Sequence, residues 1–161
     1  PGILISVSTI TFFSMLNELF EINLKSFFIG SIYGLLLGYL FRFYSISFNG
    51  IRSGYLKINQ SIDESAFLLG FSKLQTLREI HLPFFKKNFF FIFILISLEI
   101  IKELPITLIL RPFNFDTFST KAYDYASQDL IEAASVPSIF LIIWTTFLVT
   151  LSIKYFLSEE K

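Results

Sequence analysis

Four apolar runs and one polar, amphipathic insert make up the pattern along this chain. The runs are residues 1–19 (PGILISVSTITFFSMLNEL), 26–44 (SFFIGSIYGLLLGYLFRFY), 84–104 (FFKKNFFFIFILISLEIIKEL) and 135–157 (SVPSIFLIIWTTFLVTLSIKYFL). Each reaches or approaches the roughly 20 apolar residues that a helix needs to cross a bilayer. Their charges sit at the ends: Glu18, Arg42, Lys86 and Lys87, the group Glu99, Lys102 and Glu103, and Lys154. A soluble core helix imitates one such run, but hardly four in 161 residues. The expected fold class is therefore all-α, a polytopic membrane helical bundle. Composition agrees: 16% of residues are charged, against about 25% in soluble domains.

The insert, residues 45–83, has a different grammar. Ser61-Ile62-Asp63-Glu64 fits the S-x-x-E capping box and predicts a helix from Ile62. Asp63 and Glu64 then occupy the first turn, where the helix dipole favours acids. Gly70 is placed to stop that helix in a left-handed conformation. Ser72-Lys73-Leu74-Gln75 is a second capping box. On the helix it opens, Leu74, Leu77 and Ile80 form an apolar stripe, with Lys73, Arg78 and Glu79 on the other faces. Pro83 suits the first turn of the next helix. Two short helices at an angle, joined directly to the third span, are expected.

Charge sets an orientation. Residues 42–88 hold Arg42, Arg52, Lys57, Lys73, Arg78, Lys86 and Lys87 against Asp63, Glu64 and Glu79. Residues 102–134 hold Lys102, Arg111 and Lys121 against Glu103, Asp116, Asp124, Asp129 and Glu132. Basic loops stay in the cytoplasm, so 45–83 is expected inside and 105–134 outside. The turn at 18–25 (Glu18 and Glu21 against Lys25) fits the outer side, and the tail SEEK returns inside. Gly30, Gly34 and Gly38, spaced by four in the second run, predict a bare stripe for close helix packing.

The insert resembles the cytoplasmic coupling loop of ABC-importer permeases, whose pattern is E-A-A, three residues, Gly, nine residues, then I-x-L-P. Here it runs Glu64-Ser65-Ala66, three residues, Gly70, nine residues, Ile80-His81-Leu82-Pro83. The spacing matches throughout, with Ser65 as the one departure. Glu132-Ala133-Ala134 spells the triplet literally, but Ser138 stands where Gly is required and the loop faces the far side. Further similarity lies in FNGIRSGYLKINQSIDESAFLLG and in KELPITLILRPFNFDTFSTKAYDYAS, which look like the second membrane half of ferric-iron-type permeases.

The resemblance implies a permease subunit of a binding-protein-dependent importer in a bacterial inner membrane, coupling ATP hydrolysis to alternating access. Ferric iron is the implied substrate; thiamine or another small solute is the alternative within the family. Implied partners are ATP-binding cassette ATPase subunits, a periplasmic substrate-binding protein and an N-terminal half of the same permease. The chain itself, opening at Pro1 with its one Met at position 15, is expected to be part of a longer protein. No nucleic acid partner is expected.

Candidate chemistry is sparse. With no Cys and one His, a disulfide, a thiolate metal site or a multi-histidine centre has no ligands. A membrane enzyme reading finds no nucleophile–base cluster, so neither catalysis nor a cofactor is expected. A scaffold that only packs through its glycine row would not need the capping boxes or the I-x-L-P ending. Glu99, Lys102 and Glu103 lie at i, i+3 and i+4 and are expected to share one helix face. They are candidates to flank a translocation path, with Lys102 as counter-ion, or to form an interfacial ion cluster. Asp116, Tyr123, Asp124, Tyr125, Asp129 and Glu132 offer hard oxygen ligands. A solvated interfacial loop that touches the binding protein is the favoured reading for them.

Overall fold

The computed structural model describes residues 2–20 and 27–157, and every regular element among them is helical. Pro1, Glu21, Lys25, Ser26 and the SEEK tail, with the expectations placed on them, lie outside the described residues. The elements are α1 (Gly2–Phe20), α2 (Ile32–Tyr55), α3 (Gln60–Leu68), α4 (Lys73–Thr76), a π-turn (Leu77–His81), α5 (Leu82–Ile101), α6 (Pro105–Leu110), α7 (Phe118–Ser127) and α8 (Ile131–Leu157). Within this set, α1 and the stretch Ile131–Tyr155 of α8 are long and apolar enough to cross a membrane. The protein covers little of either helix, so their apolar surface suits a membrane environment.

Element boundaries depart from the expected ones for local reasons. The second helix starts at Ile32, because Gly30 at φ +72° turns the chain first. It then continues past Tyr44 to Tyr55, so the insert's first residues are helical. The third run breaks after Ile101, where Pro105 can only start a new helix, α6. The region 105–134, expected as a solvated loop, carries α6, α7 and the first turn of α8.

The chain divides into two compact units, Pro1–Tyr44 with Ser97–Lys161, and Ser45–Ile96. In the first unit α1 lies against α6, and α7 against α8. Its core is Leu35 of α2 with Ile106 and Leu110 of α6, flanked by Ile5, Ile10 and Tyr39. Gly38 permits this packing: a Cβ there would stand 2.7 Å from Leu110 Cδ1 and 3.0 Å from Ile106 Cγ2. The expected stripe of three glycines is corrected by this geometry. Gly34 meets the backbone carbonyl of Phe28, and Gly30 serves the turn. The Thr107 hydroxyl donates to the Glu103 carbonyl (2.9 Å), which leaves Tyr39 Oη to donate to Thr107 Oγ1 at 2.5 Å.

In the second unit α2 and α5 approach through a different glycine pair. A Cβ on Gly50 would be 2.8 Å from Ile92 Cγ1, and one on Gly54 would overlap the Asn88 amide. Asn88 Nδ2 donates to the Gly50 carbonyl at 2.9 Å, so the helices are joined by a half-buried polar bond as well as by shape.

Candidate functional site

The helix α3 begins at Gln60, two residues earlier than the S-x-x-E pattern suggests. Asn59, in extended backbone, is the N-cap, and its Oδ1 accepts from the Ser61 N–H at 3.3 Å. Asn caps as well as Ser, and it comes first along the chain. Ser61 is consequently inside the helix, where its carbonyl accepts from Ser65 Oγ at 2.7 Å. The expected capping box at Ser61 and Glu64 is therefore replaced by a single Asn cap.

The C-terminus of α3 explains why the motif has its spacing. Leu69 is the C-cap and Gly70 follows at φ +82°. The Phe71 N–H reaches back to the Ala66 carbonyl, and the Gly70 N–H to that of Phe67, each at 3.0 Å. These two bonds define a Schellman motif, in which the residue four before the glycine supplies the outer acceptor. That residue is Ala66, whose methyl group is buried. The interval from Ala66 to Gly70 is thus one helix ending, in which a small residue and a left-handed residue cooperate. Gly70→Ala should cost about 1–2 kcal/mol, the price of a Cβ in left-handed backbone. Thermal unfolding of the purified variant checks this, and an unchanged midpoint would refute it.

The second helix opens as the sequence indicates. Ser72 Oγ accepts from the Gln75 N–H (3.4 Å), and Gln75 Oε1 accepts from the Ser72 N–H (2.9 Å). From Lys73 the chain stays helical to Ile101, passing through the π-turn at Leu77–His81. There the Leu82 N–H bonds the Leu77 carbonyl, five residues back. Pro83 is the physical reason: it has no N–H to give, and its ring crowds the preceding turn. A widened turn absorbs both defects and lets α4 pass into α5 without a stop. Pro83 does lie in the first turn of α5, as expected, but no break precedes it.

Around this bend the motif residues divide into two sets. Ala66 is buried, Ile80 is partly covered, and Glu64, Ser65, Gly70, Leu82 and Pro83 are exposed. Phe67, Leu68 and Leu69 are 76%, 86% and 77% exposed, and Leu74 on the next helix is 75% exposed. The expected stripe of Leu74, Leu77 and Ile80 is mostly uncovered. A set of large apolar side chains thus projects from the bend, where a protein folded in water alone would bury or replace them.

Beneath the bend lies a cleft of about 440 Å³, lined by Tyr55, Asp63, Phe71, Lys73, Thr76 and His81 among others. His81 is buried, and its Nε2 stands 2.7 Å from Asp63 Oδ1. Its ring clusters with those of Tyr55 (6.0 Å) and Phe85 (6.4 Å), which also stack on each other at 5.9 Å. The sequence reading placed His81 only as the variable position of I-x-L-P and passed over Asn88 and the Gly50–Gly54 pair. The last had a signal, the four-residue glycine spacing in NGIRSGY.

The other candidate groups separate. The break after Ile101 parts Glu103 from the helix face of Glu99. Glu99 pairs with Lys102 at 2.6 Å on the surface, while Glu103 turns inward and its carboxylate lies 3.9 Å from Arg42 Nε. Neither lines the larger hollow of about 870 Å³ in their unit, which is bordered by Leu35, Tyr39, Ile100, Phe118, Phe140 and Trp144 among others.

In the region 105–134, Arg111 bridges Asp116 and Asp124, and Lys121 bonds Asp116 at 3.0 Å. The hydrogen bond to Asp116, then its charge, raises the Lys121 ammonium above the usual lysine range. Asp129, at φ +59°, ends α7 with its own Schellman pair: Leu130 N–H to the Tyr125 carbonyl and Asp129 N–H to that of Ala126. Among the described residues no three His, Asp or Glu side chains converge as a metal site. No family profile, curated protein or solved structure matches the chain at a significant level.

Proposed function

We propose that this chain is part of the permease subunit of a binding-protein-dependent ABC importer of the ferric-iron type, and that residues 59–83 dock on a cytoplasmic ATPase subunit. The observation that carries this reading is the bend itself. A Schellman-closed helix, a boxed second helix and a π-turn lead without interruption into an apolar helix, and exposed Phe67, Leu68 and Leu69 project from it. The E-x-A, Gly and I-x-L-P positions of the resemblance fall on the parts that make this bend: buried Ala66, left-handed Gly70, and Pro83 beside the π-turn.

In the proposed arrangement α1, α2, α5 and α8 span the inner membrane and the bend lies in the cytoplasm. ATP binding closes the ATPase pair, the docked bend follows, and α5 carries the motion across the bilayer. The region 105–134 faces the periplasmic binding protein. The substrate pathway forms with the permease's other half, and the chain performs no chemistry of its own.

The test is co-expression of the full subunit with an ATPase encoded beside it. The subunit is purified through a tag, and ATP-driven uptake of radiolabelled ferric iron is measured in proteoliposomes with the binding protein. The reading expects the ATPase to co-purify and uptake to require ATP. A subunit that purifies without the ATPase overturns the reading. ATPase association without iron uptake retains the transport class and removes the substrate.

A further inference from the structure

Resting on the docking reading above, we propose that Asp63 and His81 form a strut that makes the bend move as one rigid body, so that His81 is a positioning residue for energy coupling. The two helices of the bend are joined by a short linker, Leu69–Ser72, whose left-handed Gly70 is the natural place to flex. A hinge there would let a pull on α3 dissipate as a change of angle. Asp63 lies in the first turn of α3, about 10 Å from that hinge along the helix. His81 closes the π-turn on the other arm. Their bond, 2.7 Å across 18 positions of sequence, joins the two arms away from the hinge and closes a triangle.

The chemistry of the bond gives it direction. The Asp63 carboxylate offers only acceptors, so His81 Nε2 carries the donated hydrogen. Nδ1, the other ring nitrogen, is buried with no partner among the described residues. The ring cannot swing to another partner without giving up its one polar bond. The rings of Tyr55, Phe85 and His81 form a triangle with sides of 6.0, 6.4 and 5.9 Å. Tyr55 is the last residue of α2, and Phe85 is in the first turn of α5. One imidazole therefore connects α3, α2 and α5. Motion imposed on α3 reaches both long helices at a single point.

The test uses Asp63→Ala, which removes the acceptor, and Asp63→Asn, which keeps one. The Asp63 side chain is 46% exposed, so neither change opens a core cavity. In proteoliposomes with the ATPase, Asp63→Ala is expected to bind the ATPase as well as wild type. Solute moved per ATP hydrolysed should fall about tenfold, the scale of a lost charge-assisted bond. Asp63→Asn should restore most of it.

A second readout does not involve the ATPase. Ser65→Cys with Lys86→Cys places spin labels on α3 and α5, in a subunit from which any cysteine outside these 161 residues, which have none, is first removed. Their distance distribution should broaden in Asp63→Ala and narrow again in Asp63→Asn. An Asp63→Ala protein with a wild-type distribution overturns the strut, as does one with wild-type solute moved per ATP. Loss of ATPase binding by the unmodified protein overturns the docking reading instead, and the label distances still decide the strut.

Discussion

Replacing Leu68 and Leu69 together by serine should weaken capture of the ATPase subunit at least thirtyfold. Both side chains stand almost wholly free of the rest of the protein, at 86% and 77% exposed. The folded subunit therefore loses little when they go. An apolar anchor that fills a partner's pocket contributes about 2 kcal/mol or more, which is roughly thirtyfold in affinity. Serine adds no charge at the helix end, so the dipole does not confound the result. Affinity is read by titrating the tagged ATPase against wild-type and variant subunits in the same detergent. Circular dichroism and the thermal midpoint should be close to wild type. Equal affinity for the two proteins would show that the exposed cluster is not the docking surface.

Ile106→Ala should have the largest effect on stability, about 2–5 kcal/mol, as expected for a truncated and fully enclosed core side chain. Ile106 is 0% exposed, and it packs with Leu110 and Leu35 where Gly38 lets α2 approach α6. The cavity would have rigid helix on both sides and little room to collapse. For a chain of this size about 1 kcal/mol moves the midpoint by roughly 2–4 °C, so a fall of about 4–20 °C is expected. Ile109, on the same short helix but 38% exposed, provides the control. Ile109→Ala should shift the midpoint by a few degrees at most. Equal shifts for the two variants would contradict a core centred on α6.

Parts of the bend were legible because they are local. Ser72 and Gln75 meet through a three-residue interval, and Gly70 must be left-handed for α3 to turn where it does. At Ser61 the pattern was present but Asn59 took the cap, since several good caps in a row compete and the pattern cannot rank them. The helix α7 was missed for a related reason. Its box pairs Thr117 with Thr120, and the second Thr lies outside the usual E/Q pattern although its hydroxyl makes the same bond. Asp129, weighed as a possible ligand, ends a helix; without the helix its left-handed backbone had no visible purpose.

Sequence alone determined the helical class, the apolar runs, the polar insert and the glycine-and-proline punctuation of the bend. All of these follow from periodicities and side-chain preferences within a few residues. Tertiary structure decided which glycines are contact points: it keeps Gly38 against α6 and Gly34 against the Phe28 carbonyl, removes Gly30, and adds Gly50 and Gly54. It decided that α6 carries the core, that Glu103 turns toward Arg42, and that His81 joins Asp63. Those facts depend on which surface comes to face which. That choice is made by the whole set of close contacts at once, and no local interval along the chain encodes it.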